Sequence, residues 1–226
     1  MTYIVDRVAR FARGFLLSYG PSRFKKAVWD KEYIQNKWLF AENSASDCLY
    51  PFLEKYSNDA NILDIGCGSG NTANEITATY KSYVGVDISE AALAKAAKRS
   101  RENGRQDKNR FVCSDFLTYV PTGKFDVILF RESLYHIPIG KILPILYNYS
   151  HHLNDTGVFI VRLYTGMNGK TKWRPLKMIS IIENNCDIIE KYCDKSSATV
   201  VVFRPRRHVG NRIVSEVEIQ HGAMNS

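Results

Sequence analysis

The run NILDIGCGSGNTANEI at positions 61–76 constrains the fold more than any other part of this 226-residue chain. A short apolar stretch leads directly into three glycines, Gly66, Gly68 and Gly70, and a helical pattern follows them. Glycine permits a tight turn and the close approach of a ligand to the backbone. The free N–H groups at the start of the following helix would point into the same space. The run therefore predicts a strand, a ligand-binding turn and a helix.

The spacing of the glycines narrows the kind of ligand. They follow the pattern G-x-G-x-G, whereas a dinucleotide-binding turn has G-x-G-x-x-G and leaves room for a pyrophosphate. Asp64 stands two residues before Gly66. A carboxylate there would suit a cofactor that carries an ammonium group and no pyrophosphate. The spacing disfavours an NAD-linked oxidoreductase.

The remainder of the chain predicts an α/β fold. From Asn58 onward, short apolar runs alternate with helical segments, as in βαβ units with a parallel sheet. Before Asn58 the pattern is helical, with Ile4, Val8, Phe11 and Phe15 on one helix face. Further helices are predicted over 23–40 and 44–56, the second with Ser44 and Asp47 as capping candidates. The predicted strands are 61–65, 82–87, 110–114, 125–130, 158–164, 187–193 and 199–204, and the later helices are 70–80, 90–103, 139–153 and 172–184.

Two acidic residues end the second and third predicted strands, at the edge where open α/β sheets bind ligands. Asp87 stands where a ribose-binding acid is expected, and its alternative role is to cap the next helix. Asp115 would accept a hydrogen bond from an adenine amino group, or it is a turn residue. Ile88 and Phe116 would offer apolar faces to the ring, unless they belong to the core.

The segments ILDIGCGSG, VGVDIS, CSDF and FDVILFRESLYHI, in this order and spacing, resemble the class I S-adenosylmethionine-dependent methyltransferases. The resemblance covers about residues 58 to 204. It implies a Rossmann-like, doubly wound, seven-stranded and mostly parallel sheet with helices on both faces and a reversed hairpin at its end. It also implies that the cofactor's methionine part lies along the glycine loop, its ribose on the acid ending strand two and its adenine beside the acid ending strand three. The predicted cofactor contacts are Asp64, Gly66, Cys67, Gly68, Gly70, Asp87, Ile88, Asp115, Phe116 and Arg131.

The segment after the fourth strand bears on the acceptor. It reads Phe130-Arg131-Glu132-Ser133, without the Asp/Asn-Pro-Pro-aromatic turn of DNA amino-methyltransferases, so methylation of the exocyclic amines of bases is disfavoured. It also lacks a Pro-Cys pair, which disfavours the cysteine-nucleophile route to C5 of pyrimidines. A hydroxyl acceptor needs a base to take its proton, and histidine suits that task. The candidate base is His136, whose alternative role is to pack at a strand-to-helix junction. Glu132 and Tyr135 are the other catalytic candidates, to orient the acceptor or close over the cofactor.

Composition sets the class and compartment of the protein. Hydrophobic residues make up 45% and charged residues 24%, as in a globular chain, which excludes wholesale disorder. No apolar run approaches the roughly 18 residues of a membrane span, and the N-terminus lacks a signal-peptide core, so a cytoplasmic location is expected. The five scattered cysteines predict reduced, mostly buried thiols. No zinc spacing and no acidic pair after strand four are present, so no metal is predicted.

The chain divides into a helical lid and substrate-capping segment (1–57), a methyltransferase core (58–204) and a basic tail (205–226). By the family resemblance, Trp29, Tyr33 and Trp38 would line an acceptor pocket, or they pack on the sheet. Arg7, Arg10 and Arg13 are either the wet face of a helix or a contact with an anionic membrane or acceptor.

The favoured function is O-methylation of a small molecule or glycan by S-adenosylmethionine, in a monomer or homodimer. The net charge of +8 and the cluster Arg204, Arg206, Arg207 and Arg212 keep an RNA methyltransferase as one alternative. A non-catalytic S-adenosylmethionine-binding protein is another.

Overall fold

Seven strands form one sheet in the order β3-β2-β1-β4-β5-β7-β6. The computed structural model describes residues 13–14, 17, 19–38, 46–166, 173–194 and 198–206. Strands β1 to β5 pair in parallel, whereas β7 is antiparallel to both β5 and β6. The mostly parallel sheet with a reversed hairpin at one end is therefore confirmed. The strands are β1 Asn61–Ile65, β2 Ser82–Asp87, β3 Asn109–Cys113, β4 Phe125–Arg131, β5 Leu153–Tyr164, β6 Cys186–Cys193 and β7 Ala198–Pro205.

Helices cover both faces of the sheet. Successive side chains of each strand point to opposite faces, so each strand contributes apolar residues to the core on both sides. Leu63 and Ile65 of β1 belong to one core cluster with the helices α5 and α6, and Ile62 belongs to another with α2 and α3. No helix among the described residues is long and apolar enough to cross a membrane. The helices are α1 Ser22–Ile34, α2 Tyr50–Ser57, α3 Asn71–Glu75, α4 Glu90–Glu102, α5 Ile142–Ser150 and α6 Trp173–Asn185, with 3-10 turns at Leu134–His136 and Ile139–Lys141.

Helix α3 is much shorter than the predicted helix over 70–80. It begins after Gly70, whose φ of +73° is left-handed, and it ends at Glu75. Ile76 is extended and fully buried, and the backbone N–H of Thr77 donates to Glu54 Oε1 at 2.6 Å. The β-branched residues after Glu75 have low helix propensity, so core packing and this bond override the predicted continuation.

Other boundaries also differ from the predictions. The helix predicted over 44–56 begins only at Tyr50, and Asp47 accepts a bond from the Leu49 N–H at 3.0 Å instead of capping a longer helix. Helix α1 ends at Ile34 rather than at 40, because Asn36 turns the backbone to a φ of +54°. Strand β5 begins five residues early, at Leu153, with an irregularity opposite β4.

Some sequence predictions concern side chains rather than elements. The five cysteines are free thiols, but only Cys67 and Cys186 are buried, whereas Cys48 is half-buried and Cys113 and Cys193 are exposed, so the prediction of mostly buried thiols is wrong. The predicted helix face of Ile4, Val8, Phe11 and Phe15, the capping candidate Ser44 and most of the 205–226 tail lie outside the described residues.

Candidate active site

A cavity of about 920 Å³ lies at the edge of the sheet where strands β1 to β5 end, and helix α1 covers it. This is the edge at which open α/β sheets bind ligands. Most of the predicted site residues line this cavity, whereas Gly70 stands behind it at the start of α3. The predicted residues that line it are Asp64, Gly66, Cys67, Gly68, Asp87, Ile88, Asp115, Phe116, Arg131, Glu132, Tyr135 and His136.

The glycine loop, from Gly66 to Gly70, presents backbone to the cavity, and a side chain at Gly66 or Gly68 would collide with its neighbours. Gly66 and Gly68 have φ angles of +78° and +54°, in the left-handed region that favours glycine. A Cβ on Gly66 would lie 2.6 Å from the Cβ of Ser133, and a Cβ on Gly68 would lie 2.5 Å from the Tyr33 hydroxyl oxygen. The N–H of Gly66 donates to the Val86 carbonyl at 2.7 Å. The loop is thus fixed to β2 and leaves its backbone open to a ligand.

Asp64 is buried at the end of β1, with one carboxylate oxygen satisfied and the other not. The Tyr83 hydroxyl donates to Oδ2, and Oδ1 has no hydrogen-bond partner within the described part of the chain. Burial raises the pKa of Asp64 to about 6. An unpaired oxygen in a buried carboxylate is costly, so a cationic group in the cavity would be stabilised there. The residue fits the ammonium group of an amino-acid-bearing cofactor.

Asp87 is held at the end of β2 by backbone donors. The N–H of Gly68 donates to Oδ2 and the N–H of Ser89 donates to Oδ1, both at 2.9 Å. Burial raises the pKa of this carboxyl. Each oxygen keeps a second lone pair, so the fixed carboxylate suits a pair of ribose hydroxyls. Ser89, rather than Asp87, caps α4 by accepting from the Ala92 N–H at 3.1 Å.

Asp115, beyond β3, is engaged by helix α1. Its Oδ2 accepts bonds from the Ser22 hydroxyl at 2.8 Å and the Lys25 ammonium at 3.2 Å, and its Oδ1 accepts from the Leu117 N–H at 3.0 Å. An adenine amino group at this position would share the carboxylate with Lys25. Phe116 and Ile88 line the cavity nearby, as an apolar site for a base requires.

Past β4 the cavity wall is built from ion pairs. Asp47 lies between two arginines: Arg131 Nη2 is 3.0 Å and Arg162 Nη2 is 3.1 Å from its Oδ2. Arg131 also donates to the Tyr50 hydroxyl at 3.3 Å, so this predicted cofactor contact is anchored to the segment before β1. Glu132 has a strained φ of +57° and pairs with Arg162.

Tyr135 and His136 lie in the 3-10 turn after β4. The Tyr135 hydroxyl donates to the Tyr164 carbonyl at 2.6 Å. The His136 ring meets the Trp29 ring edge to face, with centroids 4.8 Å apart. Burial, with Arg13 and Arg174 nearby, lowers the pKa of His136 to about 4. The imidazole is therefore neutral at physiological pH and has a lone pair to accept a proton.

An aromatic wall from the N-terminal segment closes the cavity above His136. Trp29, Tyr33 and Trp38 line the cavity, and the rings of Trp29 and Trp38 lie 5.5 Å apart. The Trp38 Nε1 donates to Glu32 at 3.1 Å, and Arg13 pairs with the other oxygen of Glu32. Arg13, considered from the sequence as a membrane contact, thus supports this wall.

Sequence reasoning missed several residues of the site. Asp47, Lys25 and Arg162 reach the cavity across more than 80 residues of sequence from their partners. Ser133 lines the cavity with a buried hydroxyl that has no hydrogen-bond partner among the described residues. No local pattern marks any of these four. The described residues contain no group of three or more His, Cys, Asp or Glu side chains arranged to hold a metal.

Comparisons with known proteins show what the chain is similar to. Residues 63–159 match the family described as "Methyltransferase domain". A ubiquinone biosynthesis O-methyltransferase of Nitrosococcus oceani is 34% identical over 77 residues, 34% of this chain and 33% of that protein. A sterol 24-C-methyltransferase of Gibberella zeae is 34% identical over 79 residues, 34% of this chain and 21% of that protein. The match thus spans a third or less of these relatives' length.

Solved structures extend the likeness to most of the chain. The N-methyltransferase NodS of Bradyrhizobium japonicum, in complex with S-adenosyl-L-homocysteine, aligns with a TM-score of 0.63 at 18% identity, over 80% of this chain and 98% of that one. An S-adenosylmethionine-dependent methyltransferase of Clostridium acetobutylicum aligns with a TM-score of 0.60 at 16% identity, over 76% of this chain and 99% of that one. At these identities the alignments establish the fold.

The chain therefore has the fold of these solved methyltransferases. Its residues 63–159 match a methyltransferase domain, and such a domain implies S-adenosylmethionine as the cofactor.

Proposed function

We propose that this protein is an S-adenosylmethionine-dependent methyltransferase that methylates an oxygen atom of a small molecule, with His136 as the general base. One observation carries the proposal: a single cavity joins the glycine loop, Asp64 and Asp87 to a neutral histidine under an aromatic wall. The cofactor residues and the candidate base therefore face the same enclosed space.

The residues that would hold the cofactor divide along its length. Asp64 would take the ammonium group, the glycine loop would contact the methionine part through its backbone, and Asp87 would accept from both ribose hydroxyls. Ile88 and Phe116 would contact the adenine, with Asp115 at its amino group. When bound, S-adenosylmethionine supplies a methyl group on a sulfonium, and transfer is an in-line displacement that depends mainly on alignment and the exclusion of water.

His136 would take the proton that a hydroxyl acceptor loses. Because the imidazole is neutral, an unprotonated ring nitrogen is available at physiological pH. Its lowered basicity favours an acidic hydroxyl, such as a phenol, over an aliphatic alcohol, since proton transfer is easier when donor and acceptor pKa values are closer. Glu132 and Tyr135 already bond to Arg162 and Tyr164, so we assign them to shaping the acceptor side.

The proposal that the acceptor atom is an oxygen rests on His136 and not on the relatives. The similar proteins bear names of O-, C- and N-methyltransferases, so similarity to them does not identify the acceptor atom. A base positioned in the cavity is needed for a hydroxyl and less so for a free amine. The cover of helix α1 and the aromatic residues favours a small molecule, including a saccharide, over a folded nucleic acid.

The arrangement of basic residues also disfavours an RNA substrate. Arg204 donates to the Thr156 and Gly157 carbonyls at the beginning of β5, and Arg206 pairs with Asp187 at the beginning of β6. Because β7 is antiparallel to β5, these arginines stand at the sheet edge opposite the cavity. RNA bound there would not deliver a nucleotide to His136. Arg207 and Arg212 lie outside the described residues.

Thermal unfolding with ligands tests the cofactor assignment first. A ligand that binds only the native state, at about 100 times its dissociation constant, adds about 2.7 kcal/mol of stability. We expect S-adenosylmethionine and S-adenosylhomocysteine to raise the Tm and NAD to leave it unchanged. Stabilisation by NAD alone, or by none of the three, would refute the proposal.

A methyl-transfer screen then tests the acceptor class. The protein, with labelled S-adenosylmethionine, is incubated with separate sets of phenols, aliphatic alcohols, saccharides, amines and RNA. We expect label in the phenol set. Label in RNA or amines alone would contradict O-methylation, and cofactor binding without transfer to any set would favour a non-catalytic binding protein.

A further inference from the structure

The guanidinium of Arg174, near the start of helix α6, contacts the turn that carries His136. Its Nη2 donates to the Tyr135 carbonyl at 3.0 Å and to the Ile137 carbonyl at 2.9 Å. These are the carbonyls of the residues immediately before and after His136. One nitrogen of Arg174 thus joins the backbone carbonyls on either side of His136, while the His136 ring packs against Trp29.

The side chains of the turn are anchored, since Leu134 and Ile137 are buried in the core and the Tyr135 hydroxyl donates to the Tyr164 carbonyl, but its backbone makes few hydrogen bonds of its own. It is a single 3-10 turn, Leu134–His136, closed by the bonds from His136 N–H to Ser133 O at 3.2 Å and from Ile137 N–H to Leu134 O at 3.0 Å. The carbonyls at the end of such a turn have no partner within it. Arg174 supplies the donor for two of them, across 37 or more residues of sequence.

We propose that Arg174 is the positioning residue of His136: it fixes the turn so that the imidazole is presented to the cavity. This inference rests on the proposed function for its catalytic consequence, but not for its effect on the histidine itself. Arg174 does not line the cavity and is not a catalytic residue.

The charges around the imidazole support the assignment. The side chains of Arg13, Lys25 and Arg174 all disfavour its protonated form, and that of Glu32 favours it. Arg13, Lys25 and Glu32 come from the N-terminal segment, whereas Arg174 comes from helix α6. The residue that fixes the turn also helps to lower the pKa of His136, and the histidine stays neutral.

Three variants separate position from charge. Arg174→Lys keeps a charged donor, Arg174→Gln keeps a neutral donor, and Arg174→Ala removes both. Arg204→Ala is the matched control, because Arg204 also donates to two neighbouring carbonyls, those of Thr156 and Gly157, at the opposite edge of the sheet.

The deciding measurement is NMR titration of the histidine rings in the cofactor-free protein, with His136→Asn to assign the signal. We expect the His136 midpoint, near 4 in the parent, to rise in Arg174→Ala and Arg174→Gln and to stay low in Arg174→Lys and Arg204→Ala. We also expect the His136 ring resonances to shift in Arg174→Ala. An Arg174→Ala variant whose His136 titration and resonances match those of the parent would overturn the proposal, whatever its activity.

Turnover on an acceptor found in the screen adds the catalytic consequence. Misplacing a reacting group by about 1 Å costs up to about 100-fold, so we expect kcat to fall about 10- to 100-fold in Arg174→Ala and to recover substantially in Arg174→Lys. The dissociation constant of S-adenosylmethionine should change less than about twofold. A structural role alone would lower the Tm of Arg174→Ala and Arg204→Ala alike and leave the His136 midpoint unmoved, which would overturn the assignment. If His136→Ala itself retains full turnover, the general-base proposal fails while the titration still decides the role of Arg174.

Discussion

The two halves of the cavity are built in different ways. The cofactor half is made by the glycine loop and the acids at the ends of β1 and β2 and beyond β3, which come from one continuous stretch of the chain, and backbone N–H groups donate to Asp87 and Asp115. A few side chains complete it, since Tyr83 donates to Asp64 and Lys25 of helix α1 donates to Asp115. The acceptor half combines helix α1, the segment before α2 and the residues after β4 and β5 through bonds between side chains. A site fixed by local backbone can be read from one motif, whereas a site fixed by distant side chains cannot.

The halves also differ in how they hold charge. In the cofactor half, Asp87 accepts from two backbone N–H groups and needs no cation. In the acceptor half, Asp47 compensates both Arg131 and Arg162, and each of these side chains is 16% exposed or less. Removing one member of such a buried cluster leaves an uncompensated charge and is strongly destabilising. The acceptor half is therefore the harder one to alter without unfolding it.

The largest expected effect comes from His136→Ala, which breaks the acceptor half alone. Loss of a general base lowers turnover by about 100-fold or more, so we expect kcat to fall by that factor while the dissociation constant of S-adenosylmethionine stays within about twofold. Calorimetry and initial rates on the best acceptor measure the two quantities. His151→Ala is the control, since this exposed ring bonds to the Tyr147 carbonyl of its own helix. Equal turnover in both variants would remove His136 from the chemistry.

The sequence predicted the strands that lead into the cofactor half well for a physical reason. Strand, tight turn and strand-end acid are specified by neighbouring residues, and the predicted bounds of β1 and β2 match the structure. The length of α3 was wrong because Ile76 is pulled into the core, which local propensity does not report. Asp47, Lys25 and Arg174 were missed because each acts on a residue at least 37 positions away. The roles of the predicted cofactor contacts remain predictions.

Asp87→Ala should break the cofactor half and leave the acceptor half intact. Hydrogen bonds to charged groups contribute about 1.5–3 kcal/mol each, so losing the two proposed ribose bonds should weaken S-adenosylmethionine binding about 100-fold or more. Isothermal titration calorimetry measures the dissociation constant, with Asp107→Ala as an exposed control of equal charge change. At saturating cofactor, kcat should recover most of its parent value. An unchanged dissociation constant would place the ribose elsewhere.

The smallest effect is a pH dependence of cofactor binding that arises from Asp64. Burial raises the pKa of Asp64 to about 6, so the free protein protonates this carboxyl as the pH falls through 6. A cationic ammonium group binds the ionised form, and the affinity for S-adenosylmethionine should therefore be about tenfold weaker at pH 5 than at pH 7. Asp64→Asn should bind S-adenosylmethionine weakly at every pH. Its plot of affinity against pH should show no inflection near 6, because the amide has no proton to take up in this range. His136 cannot produce the same inflection, since its pKa of about 4 keeps it neutral across this range. An inflection in affinity that persists in Asp64→Asn but disappears in His136→Asn would show that the pH dependence comes from the acceptor half and not from Asp64. The two halves would then not act independently on cofactor binding.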